Sequence, residues 1–154
     1  MKRKFTGLAA LLAIVIMVFA ACGGGDGEQE KETAATKVPK DFALEGTWVD
    51  ETSQRASMEI TAGDNGQYDV EISWGSSATE STVWTFGGEF NREEGFLYYK
   101  SGRKIIETTD EEGNTSEEVK YEDGSGALVF EDGAMLWQDD KEGAGDECRF
   151  VRAE

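Results

Sequence analysis

The stretch that decides the fold runs from Arg55 to Trp74, RASMEITAGDNGQYDVEISW. In its first arm Ala56, Met58 and Ile60 alternate with Arg55, Ser57 and Glu59. In its second arm Tyr68, Val70, Ile72 and Trp74 alternate with Asp69, Glu71 and Ser73. A period of two with apolar residues on one side belongs to a strand with one buried face. Between the arms lies Gly63-Asp64-Asn65-Gly66, residue types that tolerate positive φ and reverse the chain. The pattern predicts a β-hairpin over Arg55–Ala62 and Gln67–Trp74.

Working outward, further short strands are expected at Ser81–Phe90, Phe96–Ser101, Arg103–Asp110, Ser116–Tyr121, Ala127–Glu131, Ala134–Asp139 and Glu147–Arg152. Turn sequences bound them: Asn91–Gly95, Glu111–Asn114, Asp123–Gly126, Asp132-Gly133 and Lys141–Asp146. Gly87-Gly88 inside one strand points to a bulge or a sharp bend. Pro39, the single proline, precedes all of them, as central strands require. No segment carries helical periodicity over a useful length. Evenly spaced strands with turn signals favour an antiparallel sandwich or barrel. The expectation is a single all-β domain over residues 42–154, an antiparallel up-and-down β-barrel of about eight to ten short strands.

The chain begins with Lys2, Arg3 and Lys4, continues with an apolar run from Leu8 to Ala20, and reaches Phe19-Ala20-Ala21-Cys22. A basic start, a short apolar run and small residues describe an export signal. The run is short of the roughly 18–20 residues a spanning helix needs. Ala20-Ala21-Cys22 resembles the lipobox of bacterial lipoproteins, with Phe19 departing from the usual Leu. The resemblance implies cleavage before Cys22, a lipid on its sulfur, and an extracytoplasmic, membrane-anchored protein. Two or more acyl chains anchor stably where one does not. On this reading residues 1–21 are signal and residues 22–41 are the lipidated cysteine with a flexible, Gly-rich and acidic linker, spanning about 25 Å as a coil and roughly 60 Å fully extended. An ordinary secretory signal is the alternative. Cys22 would then be free to pair with Cys148, which otherwise reads as a small buried hydrophobe.

At Gly46-Thr47-Trp48 a second resemblance enters. A Gly-x-Trp opening the first strand of an all-β meander is similar to the lipocalins and the avidins. In lipocalins this Trp plugs the closed barrel end and an Arg from the last strand region packs over it. The resemblance implies that role for Trp48, with Arg149 or Arg152 as the cation. The polar ligand contacts of the avidins have no counterpart here, so biotin binding is not implied.

Charge and composition exclude several chemistries. The chain has 15 Lys plus Arg against 32 Asp plus Glu, a net charge of −17. Removing residues 1–21 takes three basic and no acidic residues, leaving −20. Such a surface is repelled by nucleic acid and anionic headgroups. There is no histidine, which removes Ser-His-Asp and Cys-His catalysis and His-ligated zinc. Ser101-Gly102-Arg103-Lys104 fits S-x-x-K, but no K-T-G or S-D-N accompanies it. Nothing among the acids picks out a paired-carboxylate site, and the D-x-[DN]-x-[DN]-G calcium spacing is absent. Neither an enzyme nor a cofactor is expected. The aromatics carry the remaining functional reading: Trp74, Trp84, Tyr98 and Trp137 as candidate ligand-contacting rings, with one of Val83 and Trp84 pointing outward. The expected function is a surface-anchored, non-catalytic barrel that binds a small apolar molecule or a glycan. The alternative is an interaction or inhibitor module that engages an envelope protein and holds no internal ligand.

Overall fold

The computed structural model describes residues 35–154. Cys22, the lipobox and the signal lie outside the described residues. Eight antiparallel strands follow one another in chain order: β1 Gly46–Asp50, β2 Ala56–Ala62, β3 Gln67–Gly75, β4 Glu80–Glu89, β5 Phe96–Thr109, β6 Thr115–Glu131, β7 Ala134–Asp139 and β8 Arg149–Arg152. Each pairs with its sequence neighbours, and β1 pairs with β8 through Trp48–Arg152, Val49–Val151 and Asp50–Phe150. The sheet therefore closes into an up-and-down ring. No α-helix occurs among the described residues.

The hairpin read from the sequence is β2–β3. Its register places Met58 opposite Ile72 and Ile60 opposite Val70. All four are buried inside the ring, while Glu59 and Glu71 face each other outside. Asn65 and Gly66 take positive φ at the turn.

Two other pairs of expected strands merge. Phe96–Ser101 and Arg103–Asp110 are one strand, β5, and Ser116–Tyr121 and Ala127–Glu131 are one strand, β6. The expected turn at Asp123–Gly126 is instead part of β6. Its glycines, with Gly102, serve close approach rather than reversal. A Cβ on Gly102 would lie 2.8 Å from the Tyr99 ring, one on Gly124 would lie 2.9 Å from the Tyr121 ring, and one on Gly126 would lie 2.7 Å from the Tyr99 hydroxyl. The rings cross the strands and leave no room for side chains. Register shifts in the sheet fall here, between Tyr99 and Ile105 of β5. Gly87-Gly88 keeps an unbroken register against β3. The irregularity expected at those glycines sits one strand further on.

The interior is one apolar cluster contributed by all eight strands, with Trp48, Met58, Ile72, Leu97, Leu128, Met135, Trp137 and Phe150 fully enclosed. One end, the Trp48 end, carries the turns at 63–66, 90–95 and 132–133. Residues 36–45 lie across it as a strap. The Thr36 N–H donates to the Phe130 carbonyl at 2.8 Å and the Val38 N–H to the Arg92 carbonyl at 2.9 Å. Val38 and Leu44 are buried, and the Phe42 ring packs 4.9 Å from that of Phe130. Residues 36–41, assigned from sequence to the linker, are thus held against the ring.

Candidate functional site

Trp48 and its cation complete this end. The Arg152 guanidinium lies 4.5 Å from the Trp48 ring centroid and donates to the carbonyls of Ala43 and Glu45. The Trp48 Nε1–H donates to the Leu44 carbonyl at 3.1 Å. Gly46 has φ +119°, and a Cβ there would lie 2.5 Å from Arg152 Nη1. The first residue of the Gly-x-Trp motif is therefore glycine for two reasons, backbone conformation and space for the arginine. Of the two candidate arginines only Arg152 takes the position over Trp48. Arg149 turns outward to Glu131 at 3.0 Å and Glu51 at 3.4 Å, because it lies an odd number of residues from Arg152 on an alternating strand.

The opposite end carries most of the aromatic candidates. Ile72, Trp84, Lys104 and Tyr121 occupy one register row across β3–β6, so their side chains share the inner face. Trp84 meets Trp137 of β7 edge-on, with ring centroids 5.1 Å apart. Phe86 stacks on Tyr99 at 4.0 Å. The two indole N–H groups donate to phenols: Trp84 to Tyr121 at 3.2 Å and Trp137 to Tyr99 at 3.0 Å. Lys104 Nζ sits 5.1 Å from the Trp84 centroid and Lys141 Nζ 4.7 Å from that of Tyr121. Both ammonium groups are ion-paired, Lys104 to Glu142 and Lys141 to Asp123. Glu142 and Lys141 belong to the β7–β8 loop, which Asp139 shapes by accepting from the backbone N–H groups of Lys141 and Glu142. We name this the Lys104 end.

Burial decides the protonation states. Desolvation pushes the Tyr121 phenol up to about 12, with the carboxylates of Asp139, Glu142 and Asp123 adding to it against the Trp84 hydrogen bond. Tyr99 is raised further for the same leading reason. Both phenols are neutral at physiological pH and act as hydrogen-bond partners, not bases. Asp50 lies at this end as well. Its burial pushes the carboxyl up, but hydrogen bonds from the Ser53 hydroxyl and from the Ser53 and Arg149 N–H groups outweigh that and hold it below the ordinary range. Burial raises the Cys148 thiol to about 11, in keeping with an inert packing residue.

Of the four rings expected to contact a ligand, Trp84 and Trp137 come together inside. Trp74 is half-buried against the core one row nearer the rim. Tyr98 stands on the outer wall, 66% exposed beside Phe96, and shares no space with the other three. Neither member of the Val83–Trp84 pair is solvent-facing: Trp84 is in the core, and Val83, which alternates to the other face of the sheet, is only 6% exposed there. Tyr99, Tyr121, Phe86 and Lys104 complete the cluster. Periodicity could not assign Lys104 to the interior, because the bulges around Gly102 shift the register between it and the start of its strand. The same shift separates the S-x-x-K pair: Ser101 is exposed on the outer wall while Lys104 points inward. Comparison of the chain with protein-family models, with curated proteins and with solved structures finds no match.

Proposed function

We propose that this chain is a bacterial lipoprotein, anchored outside the cytoplasm through lipid on Cys22, whose ring domain is a non-catalytic interaction module that engages a protein of the cell envelope with its outer surface. The observation that carries this reading is the filling of the interior. Trp48 and the strap occupy one end, and the Trp84–Trp137–Tyr99–Phe86 cluster occupies the other. Rings locked in mutual contact and in indole–phenol hydrogen bonds stabilise the wall and leave contact with a partner to the outside. The Gly46-Thr47-Trp48 opening with Arg152 over Trp48 supports kinship with lipocalin-like and avidin-like barrels, as a filled member of that architecture. The acidic surface keeps the domain off anionic lipid and leaves attachment to the acyl chains.

Two measurements test the reading. Mass spectrometry of the mature N-terminus is expected to find a diacylglyceryl group on Cys22; an unmodified cysteine ends the anchoring claim. Titration of tryptophan fluorescence with fatty acids and with oligosaccharides is expected to give no saturable change. A saturable response from the interior tryptophans would return the reading to a small-ligand carrier.

A further inference from the structure

β6 outruns one of its two neighbours. It pairs with β5 from Thr115 to Val129, but its pairing with β7 begins only at Gly126. One further backbone bond, from the Asp140 N–H to the Ser125 carbonyl, extends that second ladder. From Thr115 to Gly124 the strand has β5 on one side and no strand on the other, the longest one-sided run among the described residues. Lys141 reaches this edge at Asp123. Thr115–Lys120 is exposed at every residue.

The direction of the backbone groups follows from the end of the hairpin. The Thr109 N–H donates to the Thr79 carbonyl at 2.8 Å, on the β4 side, and the Asp110 N–H donates to the Asn114 carbonyl at 3.0 Å, on the β6 side. Thr109 and Thr115 are therefore a non-hydrogen-bonded pair, and successive pairs alternate. The register is unbroken from Thr109–Thr115 to Ile105–Val119. Thr115, Glu117 and Val119 thus turn their N–H and C=O groups away from β5, to the free edge. No backbone group among the described residues bonds them there. Free donors and acceptors at strand spacing are a template for one more strand.

The side chains select the strand. The bulge between the Lys104–Tyr121 and Ile105–Val119 pairs puts Tyr121 on the inner face and Val119 on the outer one. Val119 ends an outer row that begins with Val83 and Ile105. Those two are buried, while Val119 is 48% exposed, so the apolar row stops where the sheet stops. On the same face Glu117 stands opposite Glu107 and shares Arg103 with Glu122, at 3.5 and 3.6 Å. Three carboxylates there meet one guanidinium. Glu118, on the other face, already has Lys120 at 2.6 Å. A strand that is apolar opposite Val119 and basic opposite Glu117 continues the row and offsets the excess charge. A second copy fits less well. Antiparallel self-pairing through all three edge-facing residues is centred on Glu117 and sets that glutamate against its own copy. Acids at an edge turn away like strands and admit basic ones.

We infer that the Thr115–Lys120 edge of β6 takes up an extended segment of a partner protein as an added strand, with an apolar residue beside Val119 and a lysine or arginine beside Glu117. The inference rests on the interaction-module reading and names the surface and the form of the partner.

The test is calorimetric titration of the mature chain in detergent micelles with the palindromic heptapeptide Thr-Val-Thr-Lys-Thr-Val-Thr, which offers valine to Val119 and lysine to Glu117 in either chain direction. Saturable binding is expected, weakened at least tenfold when the backbone nitrogens of its valines and lysine are methylated, and at least threefold when glutamate replaces the lysine. Val119→Pro removes an N–H that the β5 ladder does not use. It is expected to keep the parent circular dichroism and to weaken the peptide at least tenfold. Equal binding of the plain and methylated peptides means charge attraction alone and overturns the added strand. So does undiminished binding to Val119→Pro, absence of binding, or a concentration-dependent dimer in sedimentation that Val119→Pro abolishes, which would assign the edge to a second copy. These outcomes leave the interaction-module reading standing; that reading falls instead on a saturable fatty-acid or sugar titration.

Discussion

The two ends of the ring are closed by opposite means. The Trp48 end is sealed by the chain's own strap, with Val38, Leu44 and Phe42 packed on the core and Arg152 bonding strap carbonyls over the indole. The Lys104 end is closed by ion pairs, indole–phenol bonds and the buried carboxylates Asp50 and Asp139. The first closure is mainly hydrophobic and indifferent to salt and pH. The second is electrostatic and responds to both. One small core thus has an end that is fixed and an end that solution conditions can loosen.

The largest effect should come from the sealed end. Trp48→Ala leaves a void under the strap and removes the partner of Arg152, and is expected to lower stability by about 3–5 kcal/mol, read from denaturant midpoints. A loss below 1 kcal/mol would mean the strap does not depend on the indole. Next comes the acid response of the other end. Asp50 has a folded pKa below its unfolded value, so its contribution is complete above about pH 4 and disappears as pH falls through the lower folded value. Hydrogen exchange near pH 3 should therefore accelerate at residues 51–54 and 149–150 before residues 36–45. Asp50→Asn should abolish that difference and cost about 1.5–3 kcal/mol at pH 7. Protection lost first in the strap would reverse the comparison.

A smaller effect is expected from Lys104→Met, about 0.5–2 kcal/mol at low salt, narrowing in 1 M salt as the Glu142 pair is screened. A loss independent of salt would make Lys104 a packing residue only. The smallest signal is spectroscopic. Tyr121 ionises near pH 12 in the folded protein, so stability falls as pH rises past the ordinary phenol value of about 10. Phenol absorbance should show its ionisation coinciding with alkaline unfolding, and Trp84→Phe should change the midpoint.

The hairpin β2–β3 was legible because its alternation is strict and its turn residues have few other uses. The eight-stranded ring was legible only to within two strands. Gly102, Gly124 and Gly126 look like turn glycines in sequence, yet they are spaces for the Tyr99 and Tyr121 rings, which come from other positions of the chain or the neighbouring strand. The site was legible in part. Trp84 and Trp137 were singled out and do meet, but Phe96-Leu97-Tyr98-Tyr99 is apolar at every position, so alternation cannot say which tyrosine faces inward. Contact with Phe86 and Trp137 selects Tyr99 and leaves Tyr98 on the outside.

The strap also sets a direction. The polypeptide enters the ring domain at residues 36–38, beside Phe130 and Arg92, on the Trp48 face. Whatever precedes residue 36 therefore joins the domain at its salt-indifferent end, and the ion-paired β7–β8 loop lies at the end farthest from that junction.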